Sequence, residues 1–354
     1  RDSTDITLKP DGRVIRRKHQ LIKIMNEYAV RGLCDPRVSW NSKTRDFVIH
    51  TLRTHMSDGT VVERTTGTDR MHNISPVTPD GLDKCPDYMH HRQAVVTFLG
   101  VDLGCTVDFD YTIRDRQPLS GWLSGAEVLQ GNATALVRRF TLRIPADAQI
   151  QWNELNGAPA AEESRDGDMR VLAWTMKDVP GKRIETDSVG AAGFLPAVAY
   201  TAWKGAAEDR YGWYREMMQE MEAAAQPGGA LQKKAADLCK KTAGPDEKFA
   251  KVHAFARDAV RRIGFRPLDR NEHARPAERI YDTGYASSKD HAVLLLALCR
   301  AAGLKAWPAF VSNCDVTGEL GVAGLMNRYC LVVELDHGRF LADPSQPFDR
   351  DLAM

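Results

Sequence analysis

Two rhythms of apolar and polar positions divide the chain. Up to about residue 204 the rhythm is that of strands, with short apolar or alternating runs closed by turn residues. Asp11-Gly12 separates residues 6–9 from a longer extended run at 13–25, a hairpin signal. Residues 38–40 and 47–52 flank the turn-like 41–45, and Asp58-Gly59 reverses the chain again before Val61 and Val62. Residues 94–98, 105–113, 135–144 and 171–174 run apolar or alternate at strand length. Many short strands with frequent punctuation predict a sandwich or a pair of packed sheets. Residues 57–87 are polar and irregular and read as one long loop.

Beyond residue 204 the period becomes helical. Residues 208–225 set Trp213, Met217, Met218 and Met221 on one stripe, a packing face. Glu222 to Ala230, E-A-A-A-Q-P-G-G-A, reads as a linker. Helices are expected over 231–241 and 247–263, then a loop at 267–276 and a helical turn at 277–281. Strands follow at 305–312, 329–335 and 339–342. The most informative stretch lies between, from Gly284 to Gly303. Residues 292–302 are apolar almost all round, apart from Arg300, and a helix without a polar face is a buried one. Ser287 caps it, with Asp290 three residues on in capping-box fashion, and Gly303 ends it. The free N–H groups at that helix start suit an anion or a nucleophile. Helices followed by strands indicate an α+β domain. The expected organisation is a β-rich domain at 1–204, a helix and linker at 205–230, and an α+β domain at 231–354.

The 284–303 stretch resembles the nucleophile segment of bacterial transglutaminase-like domains of papain-like fold. Their pattern is G-x-G-D-C-K-D-K-A followed by leucines, matched here by Gly284, Lys289, Asp290 and Ala292. The likeness runs on through Leu298, Cys299, Arg300, Ala301, Ala302, Gly303 and Leu304 to Ala306, Trp307, Pro308 and Ala309. It puts the family's catalytic Cys at Ser288. Its His falls on Arg328, within Asn327, Arg328, Tyr329, Cys330, Leu331, and its Asp on Asp343, before Pro344. Tyr285 is expected at the mouth of the site. The first half resembles the β domain of no assigned activity that often precedes transglutaminase-like domains in secreted bacterial proteins. T-x-R-x-x-M-S-D-G-T-V at 51–61 and F-x-P-A-V-A-Y-T-A-W at 194–203 carry that likeness, with the opening hairpin. The resemblance implies an N-terminal antiparallel β-sandwich, then a papain-like transglutaminase-type α+β domain. It also implies a secreted or periplasmic location.

The aligned triad reads Ser288, Arg328, Asp343 in place of Cys, His, Asp. A serine hydroxyl needs a base, and a guanidinium has no lone pair to act as one. The expectation is therefore a catalytically inactive relative, a pseudoenzyme whose former cleft binds a peptide or protein or serves as a scaffold. The alternative is an active hydrolase or acyltransferase. In it His291, three residues after Ser288, is the base, oriented by Asp290 or Asp343. No cofactor and no metal are expected. His253, His273 and His337 are scattered, and the seven Cys show neither C-x-x-C nor zinc spacing. Cys34, Cys85 and Cys105 leave room for one disulfide, and Cys314 and Cys330 are poorer nucleophile candidates.

Lys and Arg number 48 against 47 Asp and Glu, which argues against a nucleic-acid partner. Residues 13–19 are locally basic and read as a solvated strand edge. No run approaches the ~18 apolar residues of an integral membrane segment. The chain opens Arg-Asp-Ser-Thr-Asp, without an initiator Met or a signal peptide. The numbering is thus expected to start after a cleavage or within a longer protein. Nothing in the pattern sets an oligomeric state.

Overall fold

The computed structural model describes residues 1–63, 74–117, 122–185, 188, 190–264, 272–312, 320, 322 and 325–348. It divides into two units. One is Arg1–Arg210 with Cys314–Val322, the other Tyr211–Asn313 with Ala323–Met354.

The first unit opens with strands β1 (Asp2–Leu8), β2 (Val14–Lys23), β3 (Arg37–Asn41), β4 (Arg45–His55), β5 (Val61–Glu63), β6 (Ile74–Val77) and β7 (His91–Val96). β8 (Thr106–Asp115), β9 (Trp122–Val128), β10 (Ala135–Pro145), β11 (Gln149–Leu155), β12 (Glu162–Asp166), β13 (Met169–Val179) and β14 (Ala197–Trp203) follow. A short helix α1 (Glu27–Leu33) lies between β2 and β3. Eight strands join in the order β12-β13-β10-β1-β2-β8-β4-β5, beside two small sheets, β11-β14-β9 and β3-β7-β6. Phe140, Leu142 and Trp174 of the large sheet share a core with Leu123, Val198 and Tyr200 of the first small one. Val107 and Phe109 share another with Val38, Ala94 and Val96 of the second. One long sheet thus serves two short ones.

Several expectations need correcting. The domain is not wholly antiparallel, because β1 runs parallel to β10 with Asp2 opposite Arg138. Residues 57–87 are not one loop, since β5, β6 and a helical turn at Pro86–Tyr88 interrupt them. The basic run is not an edge, because β2 lies between β1 and β8. Its residues meet acids: Arg17 pairs with Asp110 and His19 with Asp108 at 2.9 Å on the neighbouring β8, and Arg16 with Glu127 of β9, in the first small sheet, at 3.7 Å. Cys34, Cys85 and Cys105 are free thiols.

The second unit holds α2 (Gly212–Ala224), α3 (Gly229–Cys239), α4 (Pro245–Ala259), β15 (Arg261–Arg262), α5 (Ala277–Thr283), β16 (Tyr285–Ala286) and α6 (Ser288–Ala301). The antiparallel sheet β17 (Ala306–Ser312), β18 (Met326–Leu335), β19 (Gly338–Ala342) completes it. α6 is the centre: every residue from Lys289 to Cys299 is buried, and α2 to α5, β17 and β18 all touch it. A fully buried leucine contributes roughly 1.5–3 kcal/mol, so Leu294, Leu295, Leu296 and Leu298 anchor the unit. α2 belongs to the same core through Met221 and Ala225. The unit therefore starts at Tyr211 instead of 231, and the linker shrinks to the turn between α2 and α3. Among the described residues no helix is long and apolar enough to cross a membrane.

Candidate functional site

The start of α6 is built by its neighbours. Gly284 takes a left-handed conformation (φ 67°) that ends α5 and turns the chain into β16. β16 pairs in parallel with β15, placing Arg262 opposite Ala286. Ser287 then caps α6, its hydroxyl accepting the Asp290 N–H at 3.2 Å. Ser288, the first helical residue, is half-buried.

The two charged residues that follow are structural. Lys289 is buried and donates to Glu220 Oε1 at 3.2 Å and to the Glu272 carbonyl. The Asp290 carboxylate accepts the Arg275 N–H at 3.1 Å and its Nε–H at 2.7 Å. Arg275 also donates to the Tyr285 carbonyl at 2.6 Å and lies over the Tyr285 ring at 4.5 Å. That ring is buried, so Tyr285 packs under a guanidinium and does not stand at a mouth. Together these bonds fasten residues 272–275 and α2 to the helix start.

β18 and the end of β19 supply the other candidate residues. Arg328 Nη2 donates to Asp343 Oδ2 at 2.5 Å. Asp343 Oδ1 accepts both the N–H and the hydroxyl of Ser345, at 2.8 and 2.7 Å. Burial would raise the Asp343 carboxyl, but the Ser345 bonds and the Arg328 charge outweigh it and hold it below the ordinary value.

Helix α4 ties this pair to α6. His253 Nε2–H donates to the Asp343 carbonyl at 3.0 Å. Three residues on, and so on the same helical face, the Ala256 carbonyl accepts His291 Nε2–H at 2.8 Å. Burial pushes both imidazoles below their ordinary pKa. Each donates to a carbonyl from Nε2, so the neutral tautomer leaves Nδ1 as the acceptor. His291 Nδ1 is buried and takes no hydrogen bond. Among the described residues no hydrogen bond joins it to Ser288. Asp343 lies close enough to His291 to favour its charge, and Arg262 close enough to disfavour it.

Cys299 and Cys330 are not poised for chemistry. Burial raises Cys330 to about 11 and pushes Cys299 up as well. Cys314 and the Asn327 side chain lie outside the described residues. Through α4 the described hydrogen bonds connect His291, Asp343 and Arg328 and add His253 and Ser345, whereas Ser288 is related to His291 only by its place one turn earlier on α6. Ser345 had a readable signal, because an Asp two residues before a Ser closes an Asx-turn. Arg275 and Glu220 had none, since their partners lie 15 and 69 residues away.

Residues 10–183 match a domain of unknown function, DUF3857, and residues 236–320 match the core of the transglutaminase-like superfamily. The crystal structure of a candidate protease from Parabacteroides distasonis is similar at a TM-score of 0.85 with 17% identity, over 96% of this chain and 66% of that one. The present chain therefore spans slightly under two thirds of that protein's length. A candidate cysteine protease from Cytophaga hutchinsonii aligns with 66% of this chain and 75% of its own, at 11% identity. Its TM-score of 0.28 lends it no weight. At such identities the likeness concerns the fold alone. No curated protein matches the chain.

Proposed function

From the premise that the chain joins a DUF3857 domain to a transglutaminase-like core, we propose that it is a catalytically inactive member whose former active-site cleft binds a peptide or protein. One observation carries this reading: the residue aligned with the family's base is a guanidinium, bonded to Asp343 at 2.5 Å. Arg328 stays protonated at any working pH and has no lone pair with which to take a proton from Ser288. Wild type should then show no amidase, protease or transglutaminase turnover. Ser288→Cys alone should take up thiol reagents without turning over. Ser288→Cys with Arg328→His supplies all three family groups, and its rate should exceed either single variant by about a thousandfold or more, since such groups act as a unit. Turnover no greater than that of the single variants would count against the site assignment.

A second reading has one observation in its favour. His291 Nδ1 is an unsatisfied acceptor one helical turn from the Ser288 hydroxyl. A Ser288–His291 hydrolase would show wild-type turnover that disappears in both Ser288→Ala and His291→Ala. A secreted or periplasmic location is part of the proposal and is supported by the sequence resemblance of the first domain.

A further inference from the structure

We propose that the first unit carries a second binding site, a groove along β2 that takes an extended acidic peptide as an extra strand on the outer edge of β9. Every residue involved belongs to the first unit, so this site stands or falls separately from the inactive reading. Strand register puts Val14, Arg16, Lys18 and Gln20 of β2 on the same face of the long sheet as Ile6 and Leu8 of β1 and Val107 and Phe109 of β8. That is the face the two small sheets cover. The neighbours on β1 and β8 are buried, yet Arg16 and Lys18 keep 48% and 27% of their side chains exposed. Val14, Gln20 and Tyr111, the residue opposite Lys18, are only half-buried. The cover therefore parts over β2.

One wall of the gap is β9. Leu123 packs with Ile6 and Leu8, and Glu127 accepts the Thr4 hydroxyl at 2.9 Å, so β9 runs above β1. β14 sets Tyr200 against Phe140 of β10, with ring centres 5.5 Å apart, so this small sheet extends from β9 away from β2. The outer edge of β9 faces the gap, and along residues 125–128 it joins no ladder among the described residues. On the far side Val38, Ala94 and Val96 lie over Val107 and Phe109 of β8. From β1 to β8 is two strand spacings, about 9.6 Å, so one added strand fits above β2 at ~4.8 Å from β9. Such an addition gains affinity from main-chain bonds and specificity from alternate side chains.

The floor selects the charge of that strand. Arg138 is matched by Asp2, and Arg45 by Asp115 at 2.9 Å. Arg16 and Lys18 approach Glu127 and Asp2 only to 3.7 and 3.8 Å, longer than a hydrogen bond. Four cations thus share the carboxylates of Asp2, Asp115 and Glu127, and an acidic side chain pointing down at Arg16 and Lys18 supplies the missing charge. Asp2 Oδ1 is buried without a hydrogen bond and suits a hydroxyl donor from the same strand.

The test is hydrogen–deuterium exchange on the full chain with two acetylated hexapeptide amides, VTETST and VTKTST. Amides on an unpaired strand edge exchange fast, and an added strand protects them. VTETST should slow exchange in residues 125–128 saturably. VTKTST should bind at least about tenfold more weakly, the size of a lost charge-assisted hydrogen bond. Arg16→Glu should reverse the order of the two peptides. Lys18→Gln should weaken VTETST by about tenfold, and it keeps the test open if Arg16→Glu, set beside Glu127, fails to fold. No saturable protection of residues 125–128 by VTETST would overturn the proposal, as would saturable protection confined to another segment. Equal binding of the two peptides, or a preference unchanged in both variants, would overturn it as well.

Discussion

Arg275 and Arg328 each hold one carboxylate, and water decides what each pair contributes. The Arg275 and Asp290 side chains are 10% and 2% exposed, whereas those of Arg328 and Asp343 are 48% and 17%. Removing the Arg275 guanidinium leaves the buried Asp290 carboxylate without its counter-charge and the Tyr285 carbonyl without this donor. The expected cost of Arg275→Ala is about 3–5 kcal/mol. Arg328→Ala leaves Asp343 with both Ser345 bonds and access to water, so its cost should stay within about 1 kcal/mol. Urea unfolding of the two variants checks the ranking, and a larger loss for Arg328→Ala would refute it. The contrast also explains what the sequence could show. Ser288, Arg328 and Asp343 could be located because a motif and its spacing point at them. Arg275 could not, because an arginine in a polar loop looks the same whether it pairs with water or with a buried aspartate.

At the scale of the element, α6 was legible and its setting was not. Ala292 to Cys299 is apolar on every side, and local pattern alone requires burial. That α4 would cross-link it was not legible, because His253 and His291 are recognised only through the carbonyls they meet. Those two imidazoles give the helix pair a pH dependence. Burial holds both folded pKa values below the ordinary 6.5. The unfolded chain then binds protons at a higher pH than the folded one. Stability is full above about 6.5 and falls as the pH drops below it, until the folded values are passed. Asp343, also depressed, loses its contribution in the same direction but only in the carboxylate range, below the histidine window. Thermal melts from pH ~7.5 to ~5 should fall steeply for wild type and less for His253→Gln with His291→Gln. Parallel slopes would show that the imidazoles charge without opposition in the folded state.

For the whole molecule, strand and helix content could be read locally, but partners and boundaries could not. Nothing near β1 announces that it will lie parallel to β10, and nothing near residue 17 announces an aspartate at 110. The second boundary shows the same gap. An alanine, proline and glycine run suggested that the α+β domain begins at 231. Yet Met221 and Ala225 are fully buried against the core around α6, and Glu220 receives the buried Lys289 ammonium. A fragment of residues 231–354 would lose that hydrophobic contact and leave the ammonium short of its only carboxylate among the described residues. A buried charge without its partner costs several kcal/mol, which is comparable to the ~5–15 kcal/mol stability of a domain. The fragment 211–354 retains α2 and should melt cooperatively, while 231–354 should show no cooperative transition. Circular dichroism melts of the two purified fragments decide the matter. Both lack the first domain equally, so the difference between them reports α2 alone. If 231–354 melts as sharply and at the same midpoint as 211–354, α2 is an accessory and the second unit begins where the linker run suggested.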